Sequence, residues 1–450
     1  MLSSRLPKDL SPSPFFAELE RAKADVFAEC ANSDALPFID MTVSSPVKAG
    51  LPVDLDDAVD EGRKAFGNWS PDAAGWKSAR EAVVEYYRQR GGNFTAGQII
   101  LTASTSEAYS VLFKTFCDPG DVILTPMPGY PLLDTLAQLE HLECAPYFLK
   151  IRRENARKHA TDERQKGATF RFVLDSDSLL AAPERAKILL LVSPHNPTGH
   201  CISREEWNEA VRFCEENNMI LVVDEVFGDY AFTDKVSRTW QYVFAPCHPE
   251  RNEVESIYET SQLVDLVELG SKEQDLWDAG GGDFINLPKD GPKCPIFWLN
   301  GLSKAVGSPQ LKLGWMAFYA PRENFEEIRA ALEFVEDAYL SVSAPAQALG
   351  ASLLKLSAAY ESKVLDRLQQ NWQTLREAFP SKYCPEVLGG WYAVVRLGDD
   401  DEELALRVLR EKHVLVQPGF FFDFDEDGWV VISLLQDPAI FKEAIERIKQ

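Results

Sequence analysis

Positive charge is scarce in this chain. Its 450 residues carry 46 Lys and Arg against 70 Asp and Glu, a net charge of −24 at pH 7. A uniformly acidic surface repels phosphate backbones and anionic lipid, so nucleic acid and membranes are poor partners. The balance still allows a local basic pocket for a small anion. Histidine is also scarce: six in all, with no H-E-x-x-H and no ligand-like spacing, so no metal site is expected. The cysteines (Cys30, Cys117, Cys144, Cys201, Cys214, Cys247, Cys294, Cys384) include no C-x-x-C pair, which speaks against a zinc ribbon or a dithiol redox motif. Reduced thiols in a cytoplasmic protein are expected. No apolar run approaches the length of about 18 residues that spans a bilayer. The opening "MLSSRLPKDLSPSPFF" lacks the apolar core of a signal peptide, so no secretory leader is expected. Internal repeats and low-complexity tracts are missing as well.

What is present is an ordinary globular composition, 45% hydrophobic and 26% charged, in a chain long enough for two cores. Residues 73–90 have helical periodicity and end at Gly91 and Gly92. "QIILTASTSEAYSVLFKTF" gives a short strand at Ile99–Leu101, a hydroxyl-rich turn and a helix. "DPGDVILTP", "AKILLLVSPHNPTG", "MILVVDEVF" and "CPIFWLNGLSK" are apolar strands. "SREEWNEAVRFCEENN" is a helix with a capping box, Ser203 at the cap and Glu206 three residues on. Apolar strands alternating with helices predict an α/β fold, a mostly parallel sheet covered on both faces. The large domain is expected over 51–320. A smaller α+β domain is expected over 321–450, completed by an N-terminal segment, 1–50. Its strands are expected in "GGWYAVVRL", "HVLVQPGFFF" and "WVVISLL", with helices over 322–378, 402–412 and 438–449. The rhythm fails between Tyr230 and Pro295, so 231–294 reads as an insertion with little order of its own.

Open parallel sheets bind ligands at the carboxyl ends of their strands. The strands here are followed by "STSEA", "PMPGYP", "SPHNPTG", "DE" and "GLSK". Together these supply a hydroxyl-rich helix start, an aromatic, an amide, a carboxylate and a lysine. Such a set suits a flat heteroaromatic ligand that carries a phosphate. Free N–H groups at the helix start near Ser104, Thr105 and Ser106 attract the phosphate. Tyr130 can stack on the ring. Asp224 can pair with a cationic ring nitrogen, and Asn196 can donate to a phenolic oxygen. Lys304, desolvated beside other cations, can lose its proton and act as a nucleophile. Each residue alone has a bland reading: a surface lysine, a common turn, a helix cap, a core aromatic. The combination in order along successive strand ends does not.

"SPHNPTG", "VVDEVFGDY" and "GLSKAVGSPQLKLGW" together resemble the signature of the class I/II pyridoxal-phosphate-dependent aminotransferases of fold type I. The spacings from Asn196 to Asp224 and from Lys304 to Lys312 match that family, and "GNWSPDAAGWKSAREAVVEYY" resembles a further block of it. The resemblance implies pyridoxal 5′-phosphate as cofactor, bound through a Schiff base to Lys304. It implies that Lys304 then shuttles a proton at the substrate Cα. Asp224 would keep the pyridine nitrogen protonated, Asn196 would bind the ring hydroxyl oxygen, and Tyr130 would stack. Ser104, Thr105, Ser106, Ser303 and Lys312 would surround the phosphate. The family's usual homodimer implies that Trp69 reaches the neighbouring subunit's phosphate. The implied reaction moves an amino group from an amino acid to a 2-oxo acid.

Four positions depart from the family pattern. Lys312 stands where arginine is frequent and offers a point charge instead of a two-pronged donor. Phe227 stands where many members carry a tyrosine. Gly301 replaces a serine of some members. Val431 occupies the position expected to hold the arginine for the substrate carboxylate. Arg396, on one face of its strand with Tyr392 and Val394, and Lys48 are the candidate replacements, with Asn196 contributing. These departures keep open an alternative on the same fold, a β-eliminating lyase or a small-ring synthase.

Overall fold

The computed structural model describes residues 3, 5–7, 10–11, 13–31, 36–68, 70–154, 169–233, 236–244, 291–340, 342–398 and 400–450. Thirteen strands are numbered here: β1 (Ile39–Asp40), β2 (Ile99–Thr102), β3 (Val122–Met127), β4 (Glu143–Glu154), β5 (Thr169–Leu174), β6 (Ala186–Val192), β7 (Ile220–Asp224), β8 (Ile296–Gly301), β9 (Gly314–Tyr319), β10 (Tyr392–Arg396), β11 (Val414–Leu415), β12 (Gln417–Pro418) and β13 (Trp429–Ser433).

Eight strands form one sheet in the order β2-β9-β8-β7-β6-β3-β4-β5. From β8 across to β4 the pairings are parallel. Strands β2, β9 and β5 join antiparallel at the two ends. The central strands are apolar along their whole length because both faces are covered. Successive side chains serve opposite cores. Leu189, Leu191, Leu221, Val223, Ile296 and Trp298 enter one apolar cluster. Ile188, Leu190, Ile220, Val222, Phe297 and Leu299 enter the other.

Helices α1 (Pro14–Cys30), α2 (Asp56–Ala65), α3 (Lys77–Arg88), α4 (Thr105–Phe116), α5 (Leu132–Leu139), α6 (Ser176–Leu179) and α7 (Arg204–Glu216) precede the fifth parallel strand. The capping box predicted for α7 is present: Ser203 accepts from the Glu206 N–H and Glu206 accepts from the Ser203 N–H. Helix α3 starts at Lys77, later than the periodicity from residue 73 suggests. Its entry is set by tertiary contact, the Trp76 N–H donating to Gln347 Oε1 at 2.6 Å.

The C-terminal part has helices at Phe325–Tyr339, Ala344–Leu353, Ser357–Ala378, Asp401–Lys412 and Pro438–Lys449. Its sheet runs β10-β13-β12. The N-terminal segment joins it. Strand β1 pairs with β11, and α1 packs against Asp401–Lys412 through Phe15, Leu19, Ala22 and Val26.

One expectation is corrected. "HVLVQPGFFF" is not one strand. It breaks into β11, β12 and a 3₁₀ turn at Gly419–Phe422. The 231–294 segment, expected to be partly ordered at best, is packed at its start. Trp240 is fully buried against Tyr87 and Phe94, and Thr239 Oγ1 accepts from the Trp298 indole at 2.9 Å. Residues 234, 235 and 245–290 lie outside the described residues. Among the described residues no helix is long and apolar enough to cross a membrane.

Candidate active site

Sheet register brings the predicted strand ends to one edge. Val192 on β6 pairs with Asp224 on β7, and Asp224 pairs with Leu299 on β8. In the neighbouring rows Gly301 ends β8 opposite Gly314, which opens β9, and Gly314 lies opposite Thr102 at the end of β2. The turn that carries Ser303, Lys304 and Lys312 therefore stands beside the start of α4. The two backbones nearly touch. A Cβ on Gly314 would lie 3.1 Å from the Ser104 backbone carbon and 3.1 Å from the Asn300 carbonyl. Gly301 is extended, with φ −179°. Its lack of a side chain matters for space and not for turning, since a Cβ there would meet Gly314 Cα at 3.0 Å.

Ser104 caps α4, its hydroxyl accepting from the Glu107 N–H at 3.2 Å. That leaves the first-turn N–H groups of Thr105 and Ser106 as anion donors. Both side chains are half-buried. Lys312 is exposed in the left-handed region, with φ 51°.

Lys304 sits in a short helical turn, Leu302–Ala305, directly after β8. Its amine lies 4.7 Å from the Trp391 ring centre and 5.5 Å from that of Phe227. Desolvation by these surroundings lowers its pKa to about 8, with Asp224 pulling the other way. The Tyr230 hydroxyl donates to the Lys304 carbonyl at 2.6 Å and holds the turn.

Burial raises the pKa of Asp224 above the usual aspartate value. Three groups oppose that rise: the Tyr109 hydroxyl, donating to Oδ2 at 2.7 Å, the Val226 N–H, donating to Oδ1 at 3.0 Å, and the charge of Lys304. Asn196 keeps its side-chain oxygen buried with no hydrogen-bond partner among the described residues. Tyr130 is 49% exposed, so one side of its ring is open. It is close enough to act on Tyr392, which burial, the larger cause, pushes well above the usual tyrosine range.

Of the candidates for the substrate carboxylate, Asn196 belongs to this cluster, while Arg396 is engaged elsewhere. Arg396 is at the far end of β10, about 13 Å along the strand from Tyr392 at 3.3 Å per residue. It pairs with Glu426 and faces the Trp429 ring. Alternation puts the two residues on one face but says nothing of this separation. Lys48 is exposed in the turn at 46–50. Val431 is buried within β13, opposite Val394. Trp69 lies outside the described residues. Among the described residues no group of three or more His, Cys, Asp or Glu could hold a metal ion.

The model of the family described as aminotransferase class I and II matches residues 55–448. The chain belongs to that family. This aminotransferase is 21% identical over 393 residues to a tyrosine aminotransferase of Caenorhabditis elegans, covering 86% of this chain and 71% of the relative. It is 24% identical over 391 residues to an alanine aminotransferase of Mycobacterium tuberculosis, covering 84% and 76%. Among solved structures, an aspartate aminotransferase double mutant of Thermus thermophilus superposes with a TM-score of 0.72 at 20% identity, covering 100% of this chain and 99% of that one. The alanine aminotransferase of Pyrococcus furiosus gives 0.68 at 22% identity, covering 98% of each. These superpositions carry the fold type I architecture.

Sequence reasoning missed Tyr109, Trp391 and Tyr230. All three are buried aromatics, and residue type alone does not separate them from core residues. Only the nearness of Trp391 and Tyr392 to the Gly389–Gly390 pair hinted at a turn facing something other than core.

Proposed function

We propose that this aminotransferase uses pyridoxal 5′-phosphate, bound at the edge where β2, β6, β7 and β8 end, to move an amino group from an amino acid to a 2-oxo acid. The observation that carries the proposal is a single arrangement: a lysine with a depressed pKa facing a buried, hydrogen-bonded aspartate on the adjacent strand, with a helix N-terminus alongside.

The residues fit the cofactor. The free N–H groups of Thr105 and Ser106, the hydroxyls of Ser104, Thr105, Ser106 and Ser303, and the charge of Lys312 suit the phosphate. Asp224 suits a protonated ring nitrogen. That cation replaces the water Asp224 has lost and restores its ionised form. Asn196 suits the ring hydroxyl: its unpartnered side-chain oxygen can accept from that group, and its NH2 can donate to the ring oxygen; exposed Tyr130 suits the ring face. When bound, the cofactor supplies an aldehyde carbon for an amine and a ring that withdraws electrons from the substrate Cα. Lys304, part-neutral near pH 8, is the amine that would hold that carbon. With a substrate amine in its place, the Lys304 Nζ would be free to take the Cα proton and return it. Phe227 gives no hydroxyl, so the ring oxygen depends on Asn196. The aromatic walls of Trp391 and Phe227 keep water from the lysine.

Nothing in the geometry favours the lyase alternative. A homodimer is proposed with the transferase reading, as the family resemblance implies. The test is a panel of amino donors with 2-oxoglutarate or pyruvate. Transfer gives the donor's 2-oxo acid and an equal amount of aminated acceptor. Release of ammonia without acceptor would establish elimination instead.

A further inference from the structure

Tyr109 is the residue the site uses and the sequence motifs do not name. It lies on α4, four residues after Thr105, so it stands on the same helix face about 6 Å further along the axis. The helix that presents its N-terminus to the candidate phosphate site therefore also delivers a hydroxyl to the carboxylate at the other end of the site. The ring is 4% exposed and packed beside Phe113. Its hydroxyl is 2.7 Å from Asp224 Oδ2. Burial, then the charge of Asp224, keep the phenol protonated far above its usual range, so it donates at every accessible pH. The titratable groups around the pair are Lys304, which faces Asp224, and Tyr147, which faces Tyr109.

We propose that Tyr109 is a positioning residue for Asp224: its hydrogen bond fixes the carboxylate and keeps it ionised for the cofactor's ring nitrogen. The inference rests on Asp224 being that nitrogen's partner. A hydroxyl donating to a buried carboxylate favours the charged form. With the Val226 N–H on Oδ1, it leaves the Oδ2 oxygen oriented by α4. Without it, burial acts on Asp224 with less opposition, and the carboxylate becomes a weaker partner for a cation.

The experiment compares wild type, Tyr109→Phe, Asp224→Asn and the double variant, each with added pyridoxal phosphate. One readout is the cofactor dissociation constant from quenching of intrinsic fluorescence. The other is the pH titration of the bound cofactor's absorbance. Tyr109→Phe is expected to bind about tenfold more weakly, the scale of one charge-assisted hydrogen bond, and to shift the spectral midpoint. In the Asp224→Asn background it is expected to change neither readout further. If Tyr109→Phe does not fold, Tyr109→His, which keeps a ring N–H donor, carries the comparison and is expected to recover most of the wild-type midpoint. A Tyr109→Phe titration identical to wild type overturns the inference, as does an equal effect with and without Asp224. A wild type that binds no cofactor overturns the site reading itself and this inference with it.

Discussion

Lys304 ionises low because its amine is buried beside the Trp391 and Phe227 rings, and Asp224 limits how low it goes. In the cofactor-free protein, labelling by an amine-reactive reagent is expected to rise with pH around a midpoint of about 8, well below an ordinary lysine. Asp224→Asn is expected to lower that midpoint, since the stabilising charge is gone. Peptide mapping of the labelled site against pH checks both. Glu336 gives a second test at this scale. It is 3% exposed, and its Oε1 has no hydrogen-bond partner among the described residues. Burial, with Glu107 nearby, pushes its pKa up to about 8 from 4.5. Between those values the unfolded chain has lost the proton while the folded state holds it, so stability falls as pH rises through this window. Glu336→Gln is expected to add roughly 1–3 kcal/mol near pH 8 and little near pH 4.5, seen in urea melts at the two pH values. Legibility divides along similar lines. Lys304, Asp224 and Asn196 stand out in the sequence because each is polar at the end of an apolar strand. Tyr109 does not, because it lies within a helix and its partner Asp224 is distant in sequence.

At the scale of elements, the sequence shows the central strands clearly, since an unbroken apolar run with a turn residue after it has few other homes in a chain of this size. The last two strands of the sheet, β4 and the edge strand β5, are harder to see. Their burial is mixed and Arg152, Arg153 and Arg171 lie among them, so neither an apolar run nor clean alternation marks them. "HVLVQPGFFF" reads as one strand from composition, yet Val414–Leu415 pairs with β1, Gln417–Pro418 with β13, and Gly419 opens a 3₁₀ turn. The lysine turn is the element most exposed to a single backbone change. Gly307 has φ +62°, and a Cβ there would lie 2.0 Å from the Tyr360 hydroxyl. That hydroxyl is itself held by the Leu51 carbonyl at 3.0 Å. Gly307→Ala is therefore expected to destabilise the protein by about 2–4 kcal/mol through strain and overpacking together and to weaken cofactor uptake with it. Chemical denaturation and cofactor titration of the variant check the two effects.

Across the whole molecule, one buried polar network ties four parts of the chain together. Asp229 accepts from Tyr86 at 2.8 Å and from Arg90 at 2.9 Å, and Arg238 approaches at 3.1 Å. Glu361, on the Ser357–Ala378 helix, pairs with Arg90 at 2.7 Å. Burial alone would raise Asp229, but the two guanidinium groups outweigh it and hold the carboxyl below its usual range. Its contribution is thus present above the unfolded aspartate pKa and fades as pH falls through the lower folded value. Removing the carboxylate leaves two buried cations sharing Glu361 alone, so Asp229→Ala is expected to cost about 3–5 kcal/mol, measurable as a lowered denaturation midpoint. The network also explains why Arg238, within the segment expected to be an insertion, is part of the framework: its charge is needed where nothing in the local sequence announces it. The central claim, that Lys304 makes this fold an amino-group transferase, has a direct measurement. The cofactor-loaded protein is given amino donors with 2-oxoglutarate or pyruvate, and the aminated acceptor is quantified beside Lys304→Ala. The account predicts stoichiometric donor oxo acid and aminated acceptor from at least one donor, and a fall of about 10³-fold or more in the variant. Equal turnover in wild type and Lys304→Ala, or ammonia in place of aminated acceptor with every donor, would contradict it.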